Sequence, residues 1–369
     1  MGTVYGPSAV LGPIIGGVIT NSSLTWRWCF YINLPLSIPP VVAVVFFIHT
    51  PPTQESGESW LSKLKKLDYL GIILLIPGIS CFVIALEFGS SSHGWNAVST
   101  IGLFVASGVL TISFAASQAW MGDKVLLPPR IVTNRTIWSC SVFTVLLESA
   151  FLVLVYYLPS WFQVIQEASP SEAGIRYLAL CVPFAIAILG SGWLVSKFGY
   201  VLPFMLIGML LVSLAGGLLS TLKPDSGAIL WVTFQMIAGI GIGTSTEQPA
   251  IAVQALVEEP DAPLGIAAVL FCQNLGPTVA LSIANSILMT GLTRDIPRVF
   301  PGLDAKTIFA SGATELRNLV PVEDVPVLVE IYNQSLTRVF VLAAAFAAGS
   351  AVGVLGFGWT RITHDEPEQ

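Results

Sequence analysis

The chain has 369 residues, of which 54% are hydrophobic and only 10% are charged. Soluble domains carry about 25% charged residues, and a soluble fold of this length could not cover its surface with so few. The net charge of −6 argues against a nucleic-acid binder, because phosphate recognition requires clustered Lys and Arg. A mean hydropathy of +0.79 and 33 glycines indicate an all-α, polytopic membrane protein.

Ten stretches of the chain are long and apolar enough to cross a bilayer. A membrane helix needs about 20 apolar residues, and an open sheet cannot span lipid because its edge groups would stay unpaired. We therefore predict about ten transmembrane helices. In chain order they cover residues 3–20, 31–48, 68–88, 98–118, 136–157, 174–195, 200–220, 229–252, 264–289 and 337–358.

The basic residues of the connecting segments predict an orientation. If the first helix runs outward, the cytoplasmic segments hold eight Lys and Arg and the short external loops hold three, in the sense of the positive-inside rule. The eight are Lys63, Lys65, Lys66, Lys124, Arg130, Arg135, Lys197 and Arg361, and the three are Arg27, Arg176 and Lys223. This count leaves out the long connection, which would add Arg294, Arg298, Lys306, Arg317 and Arg338 to the external side and weaken the bias. The long connection 290–336 is then external, the C-terminus is cytoplasmic, and Asn21 and Asn333 begin external glycosylation sequons.

The first predicted helix carries a Gly-Pro motif that recurs in the ninth. Glycines four residues apart let another helix approach closely, and a proline removes a backbone donor and bends the helix. Parallel repeats relate the two halves of some secondary transporters. We predict a gating or packing role for both copies, with simple helix packing as the alternative. Their residues are Gly12, Pro13, Gly16 and Gly17 in the first helix and Gly276 and Pro277 in the ninth.

Glu148 and Glu247 are acidic residues within apolar spans, the first in the fifth helix and the second in the eighth. Ionisable groups inside lipid are costly enough to be functional candidates. We predict that these carboxyl groups carry a proton or face a cationic substrate, with a structural hydrogen bond as the alternative. Candidates for the polar wall of a cavity, which interhelical hydrogen bonds would explain equally well, are Gln235, Gln273, Asn274 and Asn285.

The sequence contains no pattern typical of an enzyme or a cofactor site. It has no G-x-x-x-x-G-K-[ST] segment, no C-x-x-C pair and no H-x-x-x-H pair. Gly239, Gly241 and Gly243 lie in an apolar context, which favours close helix packing over a dinucleotide loop. We predict no catalytic residue, no cofactor and no metal site, and that the protein is not an enzyme.

A longer segment carries a family resemblance. The stretch from Trp26-Arg27-Trp28 to Asn33-Leu34-Pro35, together with the preceding Gly-Pro motif, resembles the fifth and sixth helices of the fourteen-spanner drug:proton antiporter branch of the major facilitator superfamily. Fungal toxin and multidrug efflux pumps are of this type. Residues 156–163 and 248–254 fit the same pattern, so the resemblance covers nearly the whole chain.

The resemblance implies a domain organisation in which the ten helices are the last ten of fourteen. The implied fold is a major facilitator fold with an incomplete N-terminal bundle that lacks its first four helices. Its parts are the last two helices of the N-terminal bundle (1–49), a cytoplasmic loop (50–67), two linker helices (68–118), a C-terminal six-helix bundle (119–358) with the external loop 290–336, and a cytoplasmic tail (359–369).

The resemblance also implies a function: secondary active transport, with proton-coupled efflux of amphipathic organic compounds such as drugs, toxins and secondary metabolites. The alternatives are a nutrient uniporter or importer of the same fold and an inactive truncated product. Expected partners are a small-molecule substrate, protons and the lipid bilayer, without nucleic acid, and the oligomeric state is left open. The expected location is the plasma membrane, with the vacuolar membrane as the alternative.

Overall fold

The computed structural model describes residues 2–22, 26–47, 68–90, 94–121, 128–301, 320–359 and 361. The predicted loop 50–67 and most of the predicted tail 359–369 lie outside these residues. The helices are α1 (Gly2–Asn21), α2 (Trp28–Tyr31), α3 (Asn33–Phe47), α4 (Tyr69–Ser90), α5 (Val98–Met121), α6 (Pro129–Thr133), α7 (Arg135–Val164), α8 (Pro170–Phe198), α9 (Leu202–Leu219), α10 (Ala228–Ser245), α11 (Gln248–Leu256), α12 (Ala262–Val299), α13 (Val325–Gly349) and α14 (Ala351–Leu355).

Nine helical stretches within the described ranges are long and apolar enough to cross a membrane. Three of them join two successive helices each, namely α2 with α3, α10 with α11, and α13 with α14. Helix α1 corresponds to the first predicted span and is apolar over Gly6–Thr20, which is shorter than the other nine. The prediction of an all-α membrane protein is confirmed.

Helix α7 lies at the centre of a helical bundle. It packs against α12 and α13, and less extensively against α8, while α8 packs against α10 and α9 contacts both α10 and α13. Large side chains such as Phe143, Trp161, Phe162 and Phe184 are fully buried between these helices. Helix α1 packs on the outside of this bundle against α8.

Helices α4 and α5 form a hairpin that contacts the bundle through α12. Buried Asp68 joins the two helices at one end of the hairpin, because its Oδ1 accepts from the Gly71 backbone N–H (2.7 Å) and its Oδ2 accepts from Gln118 Nε2 (2.8 Å). The first contact caps α4, since the initial N–H groups of a helix lack partners within it. Helix α3, in contrast, buries none of its residues against the rest of the described chain.

Local sequence signals set several helix ends. Asn134 caps α7 by accepting from the N–H groups of Thr136 and Ile137 (3.0 and 3.3 Å). Ser169 and Glu172 form a capping box at the start of α8. The same helix stops at Gly199, whose φ of 75° is a left-handed conformation that glycine adopts without steric cost.

The long connection 290–336 is helical at both ends. Helix α12 continues to Val299, past the predicted end at residue 289, and α13 already begins at Val325, before the predicted start at residue 337. Hydropathy did not mark these turns because they are polar, with Arg294, Asp295 and Arg298 in the first of them. Residues 302–319 of this connection are not among the described residues.

The eighth predicted span, 229–252, is broken after Ser245. Thr246 and Glu247 form a turn between α10 and α11, and Pro249 lies in the first turn of α11. Pro249 has no N–H to donate to the Ser245 carbonyl, so the helical hydrogen-bond ladder is interrupted there. The break places Glu247 at a joint between two helices.

The sequon at Asn333 is buried. Asn333 lies within α13 and is only 4% exposed, and both the oxygen and the nitrogen of its side-chain amide form hydrogen bonds. Its Oδ1 accepts from Trp161 Nε1 (2.8 Å) and its Nδ2 donates to the Leu222 carbonyl (3.0 Å). The residue therefore connects α7, α13 and the segment that follows α9. The side chain of Asn21, the other predicted acceptor, lies outside the described set.

Replacing Asn333 with Ala is expected to destabilise the bundle. The indole N–H of Trp161 and the carbonyl of Leu222 would both lose their partner, and a buried unsatisfied polar group costs about 1–3 kcal/mol. Thermal unfolding of the purified protein in detergent measures the effect. Asn274→Ala is the matched control, because the exposed side chain of Asn274 donates to the Leu270 carbonyl of its own helix. Equal unfolding temperatures for the two variants would contradict this role of Asn333.

Candidate functional site

Glu148 lies within α7 and is only 5% exposed. The Nε2 group of Gln273 in α12 donates to Glu148 Oε1 over 3.4 Å. The Thr246 hydroxyl, which donates to the Ile242 carbonyl (3.0 Å), lies next to the same carboxyl group. Both groups are neutral, and the ion pairs formed by the described residues do not involve Glu148. A buried carboxyl group thus meets amide and hydroxyl groups from two other helical segments.

Glu247 is the second acidic residue of this site. It follows Thr246 in the turn between α10 and α11 and is half-buried. Its charge is close enough to Glu148 for the two carboxyl groups to interact electrostatically. The packing of α7 on α12 brings Gln273 to Glu148, and the turn between α10 and α11 brings Glu247 near them, although the sequence places the three residues far apart. We call these three residues and Thr246 the carboxyl cluster.

Two further buried polar groups lie next to the carboxyl cluster and were missed in the sequence. Thr144 lies four residues before Glu148, hence on the same face of α7, and its Oγ1 has no hydrogen-bond partner within the described residues. Gln248 follows Glu247 and donates to the Thr244 carbonyl (3.0 Å), while its Oε1 is buried without a described partner. The spacing of Thr144 from Glu148 was the available signal.

The other polar candidates do not join this cluster. Gln235 lies 12 residues before Glu247, and Asn285 lies 12 residues after Gln273 in α12. At 1.5 Å per residue each separation is roughly 18 Å along the helix. Gln235 is buried and donates to the Trp231 carbonyl (3.2 Å) of its own helix. Asn274 is exposed and bonds to the Leu270 carbonyl (2.7 Å), so it faces away from Glu148. Only Gln273 of the four is shown to contact the carboxyl cluster.

The Gly-Pro motif of α1 packs through a different face from the one expected. Among the described residues, an added Cβ at Gly12 or Gly16 would meet nothing within 4 Å. At Gly17, in contrast, it would lie 3.0 Å from the Pro170 carbonyl of α8. Gly17 and Pro13 are four residues apart and therefore share one face of α1, which is turned to α8. On the α8 side of this contact, a Cβ added at Gly174 would lie 2.6 Å from the Pro13 carbonyl.

The second copy of the motif lies in a different environment. Gly276 and Pro277 are buried, and a Cβ added at Gly276 would lie 2.8 Å from the Val145 carbonyl of α7. Gly276 therefore allows α12 to approach α7 next to Gln273 and Glu148. The two copies share three residues of sequence, but only the second has its first glycine in a close helix contact within the described chain.

The glycines of α10 serve close packing on two sides. Gly239 and Gly243 lie against backbone carbonyls of α8, and Gly241 lies against Leu211 and Val212 of α9. A side chain at these positions would force the helices apart. The structure thus supports helix packing over a dinucleotide loop for this G-x-G-x-G segment.

An apolar cavity of about 470 Å³ lies between the hairpin and the bundle. Its wall includes Leu75 of α4, Trp138 of α7 and Phe271 of α12. Cys272 also lines it, and the next residue along α12, Gln273, contacts Glu148. Cavities of 300–1,000 Å³ with mostly apolar walls are typical of small-molecule sites.

Comparisons with known proteins agree with this architecture. The sequence profile of the Major Facilitator Superfamily matches residues 1–281. The chain is 36% identical to "Efflux pump roqT" of Penicillium rubens and 39% identical to "Aspyridones efflux protein" of Neocamarosporium betae, in each case over 98% of this chain. It is 34% identical to "MFS-type transporter astH" of Aspergillus oryzae over the same share. The chain spans 67%, 64% and 64% of the lengths of these three relatives.

The fold is also similar to that of a solved transporter structure. A bacterial homologue of the human lysosomal transporter Spinster, in an inward-facing and occupied conformation, superposes with a TM-score of 0.51. The alignment covers 96% of this chain and 82% of that one at 15% sequence identity. At this identity the similarity concerns the fold alone.

Proposed function

The chain belongs to the Major Facilitator Superfamily, and we propose that it exports amphipathic organic compounds in exchange for protons. The observation that carries this proposal is the carboxyl cluster, in which buried Glu148 has only neutral hydrogen-bond partners among the described residues. A buried carboxylate without a cation must be protonated or reached by water or a positive group. Its charge state therefore depends on the conformation of the bundle.

The carboxyl cluster can couple two ligands because its groups come from separate helical segments. Two negative charges at close range repel each other, so a proton or a cationic group near them is stabilised. Binding of one would weaken binding of the other, which is the linkage that exchange requires. Movement of α12 would change the hydrogen bond from Gln273 to Glu148, and movement of the turn at Thr246 would change the polar surroundings of the carboxyl group. Either movement would alter its affinity for a proton.

Two observations support an amphipathic cargo and an outward direction. Phe151, one turn after Glu148, stacks on Phe184 of α8 with ring centroids 5.7 Å apart, so aromatic surface lies next to the acidic groups. The names of the relatives describe efflux proteins. We propose drugs, toxins or secondary metabolites as the class of cargo and the plasma membrane as the location.

The proposed orientation is open to a direct test by cysteine labelling. Ala310→Cys in the long external connection is expected to react with a membrane-impermeant maleimide added to intact cells. Trp60→Cys in the basic loop is expected to react only after permeabilisation, because the Lys-rich loop stays on the cytoplasmic side. The parent protein supplies the background from its native cysteines. The reverse labelling pattern would contradict the orientation.

Transport by the purified chain in proteoliposomes tests the proposed function. With an imposed pH gradient, the chain is expected to move the amphipathic dye rhodamine 6G against the direction of proton flow. A protonophore should stop the movement at once, because it dissipates the gradient. Dye movement that continues unchanged with the protonophore would indicate uniport, and no movement above protein-free vesicles would contradict transport by this chain.

A further inference from the structure

A second cavity, of about 410 Å³, lies where the loop of the hairpin meets the C-terminal half of α12 and the middle of α13. It is separate from the carboxyl cluster and is lined by residues of three segments. They are Trp95 from the loop between α4 and α5, Arg338 from α13, and Ile283, Ser286, Ile287, Thr290, Gly291 and Arg294 from α12.

The α12 side of this cavity changes from apolar to cationic along the helix axis. Ile283, Ile287, Thr290 and Arg294 follow one another at spacings of four, three and four, so they share one face. At 1.5 Å per residue they extend over roughly 16 Å. Helix α12 has 38 residues, which is longer than the roughly 20 that cross a hydrocarbon core. The isoleucines thus lie within the apolar span and Arg294 lies near the membrane surface.

The cationic end holds more positive than negative charge among the described residues. Asp295 is the shared partner of Arg294 (2.8 Å), Arg298 (3.7 Å) and Arg338 (3.7 Å). One carboxylate cannot neutralise three guanidinium groups. Gly291 makes the arrangement possible, since an added Cβ there would lie 2.6 Å from Ser335 Oγ and 3.4 Å from Arg338 Nη1. The absence of a side chain lets α13 bring Arg338 over α12.

We propose that this cavity binds a membrane phospholipid. Arg294 and Arg338 would hold the phosphate, because paired guanidinium groups match phosphate oxygens. One acyl chain would lie on Ile283 and Ile287. Trp95 is at the level of the headgroups, where tryptophan is enriched in membrane proteins.

Ser286 provides an independent reason to expect a ligand that has polar groups between its phosphate and its acyl chains. Its Oγ is buried and has no hydrogen-bond partner within the described part of the chain, although the residue lines the cavity. An ester carbonyl of a phospholipid would accept from this hydroxyl. A soluble anion would satisfy the arginines but would leave both Ser286 and the apolar wall uncovered. The bound lipid fills the joint between the hairpin and the bundle and strengthens their contact.

Native mass spectrometry of the delipidated protein tests the proposal with phosphatidylglycerol, diacylglycerol of the same chains and inorganic phosphate as separate probes. We expect phosphatidylglycerol to bind and the other two to bind at least about tenfold more weakly, because each lacks one half of the recognised structure. The double variant Arg294→Gln/Arg338→Gln should lose about tenfold or more in affinity. Arg298→Gln is the matched control, since Arg298 contacts Asp295 but does not line the cavity.

A second pair of variants keeps the charges of the cavity and adds a large side chain either inside it or outside it. Thr290→Trp should block phosphatidylglycerol binding, whereas Thr293→Trp, on the same helix but outside the cavity, should not. If the double arginine variant does not fold, this pair still tests whether the lipid binds in the cavity. Unchanged lipid binding in Thr290→Trp, equal losses in the Arg298→Gln control, or inorganic phosphate binding as tightly as the lipid would each overturn the proposal.

Discussion

Glu148→Gln is expected to reduce proton-coupled export about 5- to 150-fold, the range spanned by typical coupling free energies of 1–3 kcal/mol. Glutamine keeps the shape of the side chain and can still accept from Gln273, but it cannot exchange a proton. Expression and thermal stability should stay close to those of the parent protein. The pH dependence of export should become flatter, because the titrating group has been removed. Dye transport in proteoliposomes at several external pH values measures both effects.

The matched control for this variant is Glu330→Gln. Glu330 is exposed near the start of α13 and accepts from Gln334 of its own helix (2.9 Å), so the same chemical change there should leave transport unaltered. If Glu148→Gln also kept the full rate and the parent pH profile, Glu148 would have a structural role. Glu247→Gln would then be the decisive variant, because Glu247 is the other acid of the carboxyl cluster.

Gly174→Leu is expected to separate α1 from α8. An added Cβ at Gly174 would lie 2.6 Å from the Pro13 carbonyl of α1, which is closer than real Cβ contacts allow. The leucine would push α1 away from α8, and overpacking of this kind costs about 1–3 kcal/mol. We expect a lower unfolding temperature in detergent and loss of transport, because α1 would no longer be held against the bundle.

Gly12→Leu is the comparison that separates the two faces of α1. An added Cβ at Gly12 meets no described atom within 4 Å, so the purified chain should tolerate this leucine. The sequence motif alone predicts the opposite ranking, since Gly12 belongs to the Gly-Pro motif and Gly174 does not. A greater loss of stability in Gly12→Leu than in Gly174→Leu would contradict the packing described here.

The sequence predicted the spans well because hydropathy reports lipid-facing and buried surface alike. It could not locate helix ends that leave the apolar region, and the polar turns around Arg294 were therefore assigned to a loop. It also treated 229–252 as one helix although Pro249 is in the sequence, because membrane helices often contain proline without stopping. The position of Glu247 in a turn followed only from the structure.

The sequence predicted the acidic residues of the candidate site but not which residues lie next to them. Glu148 and Glu247 stood out because carboxyl groups are rare in apolar spans, and this signal needs no knowledge of packing. Which amide meets them depends on helix rotation. Gln273 and Asn274 are adjacent, but successive residues of a helix are about 100° apart, so only one faces α7. For the same reason, the sequence could not predict that Gly17 and not Gly12 faces α8.

Proton release on substrate binding tests the exchange mechanism most directly. Purified protein in weakly buffered detergent solution is mixed with rhodamine 6G, and the pH is followed with an electrode. If substrate and proton compete at the carboxyl cluster, the parent protein should acidify the solution on binding, and Glu148→Gln should bind the dye with little or no acidification. Dye binding without proton release by the parent protein, or equal release by both proteins, would contradict proton exchange at Glu148.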